Sequence, residues 1–176
     1  CSYCSYNGTA HDPPTRWNGT DLVAIGIAAP STAPTLAADA TASEMAAGTY
    51  SYYYTYTDGE FESMPSPIED LVIADNRSVA LTSVADHANN YSKKIYRAYT
   101  SDTSPGARGA TFLYVATILD GDTDYIDSAR QDSLGDAIAY DHALPPRATI
   151  VESHKGRLFM AGLSDGSSSY ADWNTG

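Results

Sequence analysis

The chain has 176 residues, 43% hydrophobic and 18% charged, with 22 acidic against 10 basic side chains and a formal net charge of −12. That length suits one ordinary domain, or one domain with pieces of its neighbours. The acidic balance argues against nucleic-acid binding, which needs Lys and Arg on phosphates, and against an anionic membrane surface, and no run approaches the ~18 apolar residues of a membrane span.

The charged fraction lies below the usual quarter, and Ser, Thr, Asn, Tyr and Ala fill the gap. Seventeen of the acidic residues are Asp, which favours turns and caps over helix interiors, and only three lysines occur. This composition fits strands and turns rather than a helical bundle. The chain starts at Cys1 with no basic-then-apolar leader after it, and ends at Asp172-Trp-Asn-Thr-Gly176. Both ends read like cuts through a longer polypeptide, so a fragment is expected.

Cys1 and Cys4 are the only cysteines. A redox Cys-x-x-Cys needs a helix to lower the thiol pKa, which Tyr3, Ser5, Tyr6 and Asn7-Gly8 do not make. A zinc site needs two more ligands, and His11 is the only nearby candidate. The pair is read as structural, with no disulfide framework.

Residues 1–28 place short apolar runs between Asn7-Gly8 and Asn18-Gly19 turns, ending in Leu22-Val-Ala-Ile-Gly-Ile27. They read as a β-meander flank of a second β domain. Residues 29–36, with Pro30 and Pro34, read as an extended linker. Within 37–47, Ala, Glu44 and Met45 favour at most a helical turn, cut short by Thr41, Ser43 and Gly48.

Six strands follow in quick succession: Thr49–Thr57, Glu69–Ala74, Ser78–Val84, Lys93–Tyr99, Thr111–Leu119 and Thr123–Asp127. Turn residues bound each one, and nothing between them is long enough for a crossover helix. The first is the most informative. Side chains alternate along a strand, so Tyr50, Tyr52, Tyr54 and Tyr56 share one face, and Ser51, Tyr53, Thr55 and Thr57 the other. Tyr52, Leu81, Ile95 and Val115 are expected in the core. Residues 37–140 therefore form an antiparallel all-β sandwich. Residues 141–146, with Pro145-Pro146, are a second linker. Residues 147–176 open with a hairpin, Arg147–Glu152 against Arg157–Gly162. Neither flank can bury a core alone, so the two are expected to come together in a second β layer.

The order Gly48-Thr-Tyr strand, Asp58-Gly59 turn, Glu62-Ser-Met-Pro-Ser-Pro67 and strand resembles the last two strands of a fibronectin type III-like sandwich. Here they come first, before Ser78-Val-Ala-Leu-Thr-Ser83, Lys94-Ile-Tyr-Arg-Ala-Tyr99 and Phe112-Leu-Tyr-Val-Ala-Thr-Ile118. This permuted version is similar to domains in tailed-bacteriophage virion proteins. There it is often followed by a segment such as Pro145, Pro146, His154, Gly156, Arg157, Leu158, Phe159, Ala161 and Gly162 of this chain. The resemblance implies an immunoglobulin/fibronectin III-like sandwich, with 147–176 starting a further, propeller-like β domain. It also implies that Tyr50 is a tyrosine corner whose hydroxyl bonds upstream backbone.

Other patterns have simpler readings. Gly162-Leu-Ser164-Asp-Gly166 matches a nucleophile elbow, but the strand-to-helix setting is missing. Asp120-Gly-Asp122-Thr-Asp124 begins like a calcium loop, yet Tyr125 and Gln131 stand where Gly and Glu are required, which leaves an ordinary turn or an incidental cation site. His11, His87, His142 and His154 are widely separated, and Asn7, Asn18, Asn76 and Asn90 begin glycosylation sequons of the kind that arise by chance in such turns. No catalytic, cofactor-binding or metal-ligating residue is assigned.

The sequence thus leads us to expect a non-enzymatic structural component of a bacteriophage virion, from the tail or head-to-tail region. It would act through contacts with copies of itself and neighbouring virion proteins. The alternative is a secreted or cell-surface carbohydrate-binding or adhesion module. Tyr53, Tyr96 and Tyr99 are candidate partner contacts, and a host-surface glycan is the candidate small partner.

Overall fold

A computed structural model describes residues 2–3, 15–17, 19–74, 76–138, 147–155 and 157–164. The chain divides into two compact units, one of Cys1–Gly26 with Leu144–Gly176, the other of Ile27–Ala143. In the first, β1 (Ser2–Tyr3), β2 (Thr15–Trp17) and β3 (Leu22–Ala24) form an antiparallel sheet in that order. In the second, the strands are β4 (Thr35–Ala42), β5 (Gly48–Thr57), β6 (Glu69–Ile73), β7 (Arg77–Thr82), β8 (Ser92–Thr100), β9 (Leu113–Ile118) and β10 (Tyr125–Asp127). The first unit also holds a hairpin of β11 (Arg147–His154) and β12 (Arg157–Ser164), and β1 lies beside β11. Cys1, Cys4, His11, the Asn7-Gly8 turn, His142 and Asp165-Gly166 lie outside the described residues.

The larger unit is all-β, with two antiparallel sheets. One has four strands in the order β6-β5-β8-β9, the other three in the order β10-β7-β4. The six expected strands all form, each within two residues of its expected start and end. β5 pairs with β6 from Gly48↔Ile73 to Tyr52↔Glu69. The stretch before them differs from expectation. Thr35–Ala42 is a strand, overlapping the expected linker and replacing the expected helical turn. Leu36 and Ala37 pair with Leu81 and Ala80 of β7. The short-range preference of alanine for helix is weak, and strand pairing on β7 overrides it.

One face of the four-stranded sheet carries Tyr50, Tyr52, Tyr54, Tyr56, Ile73 and Ile95, which pack with Val79 and Leu81 of the three-stranded sheet. Tyr52, Leu81 and Ile95 are fully buried, and Val115 packs against them partly exposed. Gly48 begins β5 because a Cβ there would sit 2.4 Å from the Thr100 carbonyl oxygen. Tyr50 donates its hydroxyl to the Ala46 carbonyl at 2.7 Å, tying the strand to the chain that enters it.

The Ser-x-Pro-Ser-Pro motif has a direct structural use. Pro65 and Pro67 have no N–H to offer a ladder. Instead Ser63 and Ser66 accept the amides of Tyr56 and Tyr54 on their hydroxyls, at 2.9 and 3.2 Å. Their own amides donate to the Tyr56 and Tyr54 carbonyls, both at 2.9 Å. The pairing of β5 thus continues where a regular strand could not.

Two cations of β8 point inward on either side of Ile95. Arg97 and Asp127 are both fully buried, and Arg97 Nη1 donates to Asp127 Oδ2 at 2.6 Å and to the Ala129 carbonyl at 3.0 Å. Tyr52 donates its hydroxyl to the same carboxylate oxygen at 2.7 Å, while the Ala129 amide binds the other at 2.9 Å. Arg97 also lies 5.5 Å from the centre of the Tyr50 ring. This cluster joins the two sheets, since Tyr52 and Arg97 belong to one and Asp127 to the other.

Truncating Tyr52 to Ala should destabilise the protein by about 3–5 kcal/mol, as a large core deletion does. Tyr52→Phe removes only the hydroxyl and should cost about 1–3 kcal/mol, because Asp127 then loses one donor in a buried site. Urea denaturation of both variants checks the order. A Tyr52→Phe variant as stable as the wild type would show that packing alone, and not the carboxylate, needs Tyr52.

Candidate functional site

The other face of the four-stranded sheet is built from the alternate residues. Ser51, Tyr53, Thr55 and Thr57 come from β5, and Ser92, Lys94, Tyr96 and Ala98 from β8, with Tyr53 opposite Tyr96 and Thr55 opposite Lys94. Half of this face is closed. Tyr53, Tyr96, Ala98, Phe112 and Ile138 form a second buried cluster, with Ile68 and Tyr114 packed at its edge. The Tyr53 ring lies 4.4 Å from Phe112 and 5.3 Å from Tyr96 between ring centres. Tyr53 and Tyr96, expected as candidate partner contacts, are 1% and 4% exposed. Tyr99 is half-buried on the opposite face, its ring 4.9 Å from Tyr50 and its hydroxyl donating to the Ala47 carbonyl at 3.1 Å.

The other half is open and polar, and Glu62 organises it. Glu62 follows the Asp58-Gly59 turn and forms an isolated bridge with Thr57, which brings its carboxylate over the join of β5 and β8. Oε1 accepts hydroxyl bonds from Thr55 and Tyr96, both at 2.7 Å, and Oε2 accepts an N–H bond from Lys94 Nζ at 2.7 Å. Burial by itself would raise the Glu62 pKa, but the bonds from Lys94, Tyr96 and Thr55 outweigh it and hold the carboxyl below its ordinary value. Burial pushes the Tyr96 hydroxyl well up, and its bond to Glu62 pushes it further, so it stays a protonated donor.

Two clefts open on this half. One, of about 370 Å³, is lined by Glu62, Lys94, Tyr96, Tyr114 and residues 136–138. The other, of about 500 Å³, is lined by Thr57–Gly59, Asn90–Ser92, Lys94 and Thr117. Lys94 belongs to both. Tyr114 and Thr117 share a hydroxyl–hydroxyl bond of 2.9 Å at the surface. Tyr91 stacks on His87 with ring centres 4.5 Å apart, and the Asn89 side chain donates to its hydroxyl at 3.3 Å.

The Asp120–Asp124 turn helps to hold a buried lysine. The buried Lys93 ammonium bonds an Asp86 carboxylate oxygen and the Asp122 carbonyl, the latter at 2.8 Å. The Gly121 amide donates to the same Asp86 oxygen at 3.1 Å. A lysine thus supplies the positive charge at this spot, and no group of three metal-ligating side chains occurs among the described residues. Sequence reasoning missed both Glu62 as an organising group and Lys93 as a buried cation. The available signal was the alternation of β8, which places Lys93 and Arg97 beside Ile95 and Lys94 beside Tyr96.

Asp86, Glu62 and Asp70 are all held below their ordinary values, Asp86 chiefly by Lys93 and Asp70 chiefly by Arg108. A carboxylate with a depressed folded pKa stabilises fully above its unfolded value and loses that contribution as pH falls through the folded one. The ordinary values are 4.5 for Glu and 3.8 for Asp. Thermal stability should therefore fall as pH drops from about 5 toward 3. Glu62→Gln removes one titrating group, so its melting temperature should decline less steeply across that window. Parallel slopes for the two proteins would show that Glu62 interacts equally in the folded and unfolded chains.

Compared with protein-family models, with curated proteins and with solved structures, the chain gives no match in any of the three.

Proposed function

We propose that this chain is a structural component of a bacteriophage virion, from the tail or head-to-tail region, that carries a permuted fibronectin III-like sandwich and acts through subunit contacts. The strand arrangement supports the sandwich part. β5 and β6 precede β7 to β10 in the chain yet pair as β6-β5-β8-β9, beside a separate β10-β7-β4 sheet. That is the neighbour pattern expected if the last two strands of a fibronectin III-like domain were moved ahead of its second. The tyrosine-corner bond of Tyr50 to Ala46 supports it as well.

The observation that carries the assembly role is the apolar surface of the smaller unit. Ile150 is 61% exposed and Phe159 54%, and the register Ile150↔Ala161 and Glu152↔Phe159 puts them on one face of a two-stranded sheet. Trp17 and Leu22, directly opposite each other across β2 and β3, are also more than half exposed. Two-stranded sheets are marginal in water, and adjacent large apolar side chains favour a protein partner. The acidic charge of the chain suits such a component, since it opposes indiscriminate association while leaving apolar contacts to set specificity.

Sedimentation velocity over a wide concentration range tests this reading. The protein should associate reversibly into discrete oligomers, and the double variant Ile150→Ser with Phe159→Ser should remain monomeric with an unchanged circular dichroism spectrum. An antibody to the chain should label the tail or neck of purified particles in negative stain. A wild-type protein that stays monomeric at all concentrations, with no labelling of particles, would overturn the proposal.

A further inference from the structure

The two clefts share Lys94 and, taken as one candidate site, have a chemistry that selects a ligand class. Their volumes, about 370 and 500 Å³, lie in the range of small-molecule sites, roughly 300–1,000 Å³. Lys94 has three N–H donors and bonds Glu62 with one of them, while its side chain is 33% exposed. Asp58 lines the larger cleft and uses Oδ1 to accept the Glu60 and Phe61 amides, at 2.9 and 2.7 Å, which holds its carboxylate in place. The Tyr114–Thr117 hydroxyl pair lies at the surface between the two. Tyr91 lines the larger cleft, its ring held by stacking on His87 and by packing against the core.

Each feature excludes something. Glu62, Asp58 and Asp136 line the clefts, and the one lysine there is already paired with Glu62, so an anionic ligand meets net repulsion. An extended peptide gains its affinity by pairing with the edge of a sheet, whereas Lys94 and Tyr96, which line the clefts, stand on β8, whose backbone is paired on both sides. A purely apolar ligand would leave Asp58 and Lys94 desolvated without partners. What remains is a molecule with apolar C–H faces to lie on tyrosine and closely spaced hydroxyls that both donate and accept.

We propose that this double cleft binds a neutral oligosaccharide, with a sugar ring against Tyr91 and vicinal hydroxyls bridging Asp58, Lys94 and the Tyr114–Thr117 pair. The site goes beyond the assembly role and does not depend on it. It lies in the larger unit, whereas the exposed apolar pairs lie in the smaller one.

The test is an amide chemical-shift titration of the full ¹⁵N-labelled chain with maltotriose, cellotriose and triacetylchitotriose, and with trigalacturonate as the acidic counterpart. At least one neutral sugar should give saturable shifts concentrated at residues 57–59, 90–94 and 114–117, and trigalacturonate should bind more weakly. Tyr91→Ala should weaken binding about tenfold or more by removing the stacking wall. Thr117→Trp fills the cleft from an exposed position and should do the same without disturbing the core, which covers the case in which Tyr91→Ala does not fold. Ile126→Ser, on the three-stranded sheet, should bind as the wild type does. The proposal is overturned if no neutral sugar gives saturable shifts, if the shifts lie elsewhere, if trigalacturonate binds equally well, or if folded Thr117→Trp retains full affinity.

Discussion

The larger unit depends on a buried charge shared between its sheets. Arg97 and Asp127 have no access to solvent, and each takes its bonds mainly from the other sheet or the chain just after it, with Arg97 Nε left without a partner among the described residues. Removing one member would leave an uncompensated buried ion, which is far more costly than losing an apolar contact of similar size. The pair therefore fixes the register between layers more sharply than hydrophobic packing does. Leucine or tyrosine side chains tolerate small slides past one another, but a guanidinium aimed at one carboxylate oxygen does not. Tyr52 completes the arrangement by donating to that oxygen, which explains why the centre of this core contains tyrosine where phenylalanine would fill the same space.

Tyrosine recurs for a related reason across the core. The hydroxyl of Tyr50 reaches Ala46, that of Tyr54 accepts the Ala85 amide at 3.3 Å, and that of Tyr99 reaches Ala47. Each ring fills the interior while its tip satisfies backbone at the rim, where strands give way to connections and leave polar groups unpaired. Few other side chains do both. A chain poor in leucine and phenylalanine thus still closes a dense core.

The two faces of the four-stranded sheet divide the labour. One is consumed by the sandwich interior. The other is half covered by Phe112, Ile138 and Ile68, and half left open around Glu62 and Lys94. Because strand side chains alternate, one pair of strands supplies both a rigid core and a positioned polar surface. Ile95 and Arg97 on the inner side hold β8 in place, so Lys94 and Tyr96 on the outer side are presented on a fixed backbone. A surface built this way does not need to reorganise when a ligand arrives, which limits the entropic cost of binding. The smaller unit contrasts with this, since its short sheets leave Trp17, Leu22, Ile150 and Phe159 largely in water.

By itself the sequence determined the fold class, the strands from β5 to β10 and the inward face of the tyrosine strand. These follow from period-two alternation and from turn residues, both local properties that are written in the order of the side chains. The hairpin of β11 and β12 was legible for the same reason. Tertiary structure alone decided the rest. Whether Thr35–Ala42 became strand or coil depended on β7 offering an edge, a partner some forty residues away. Whether Tyr53 and Tyr96 faced solvent depended on Phe112 and Ile138 folding over them. The partners of Lys93, Arg97 and Glu62 likewise come from distant turns and strands. Alternation says which way a side chain points, but what it meets there is set by chain closure over long separations, which no local pattern encodes.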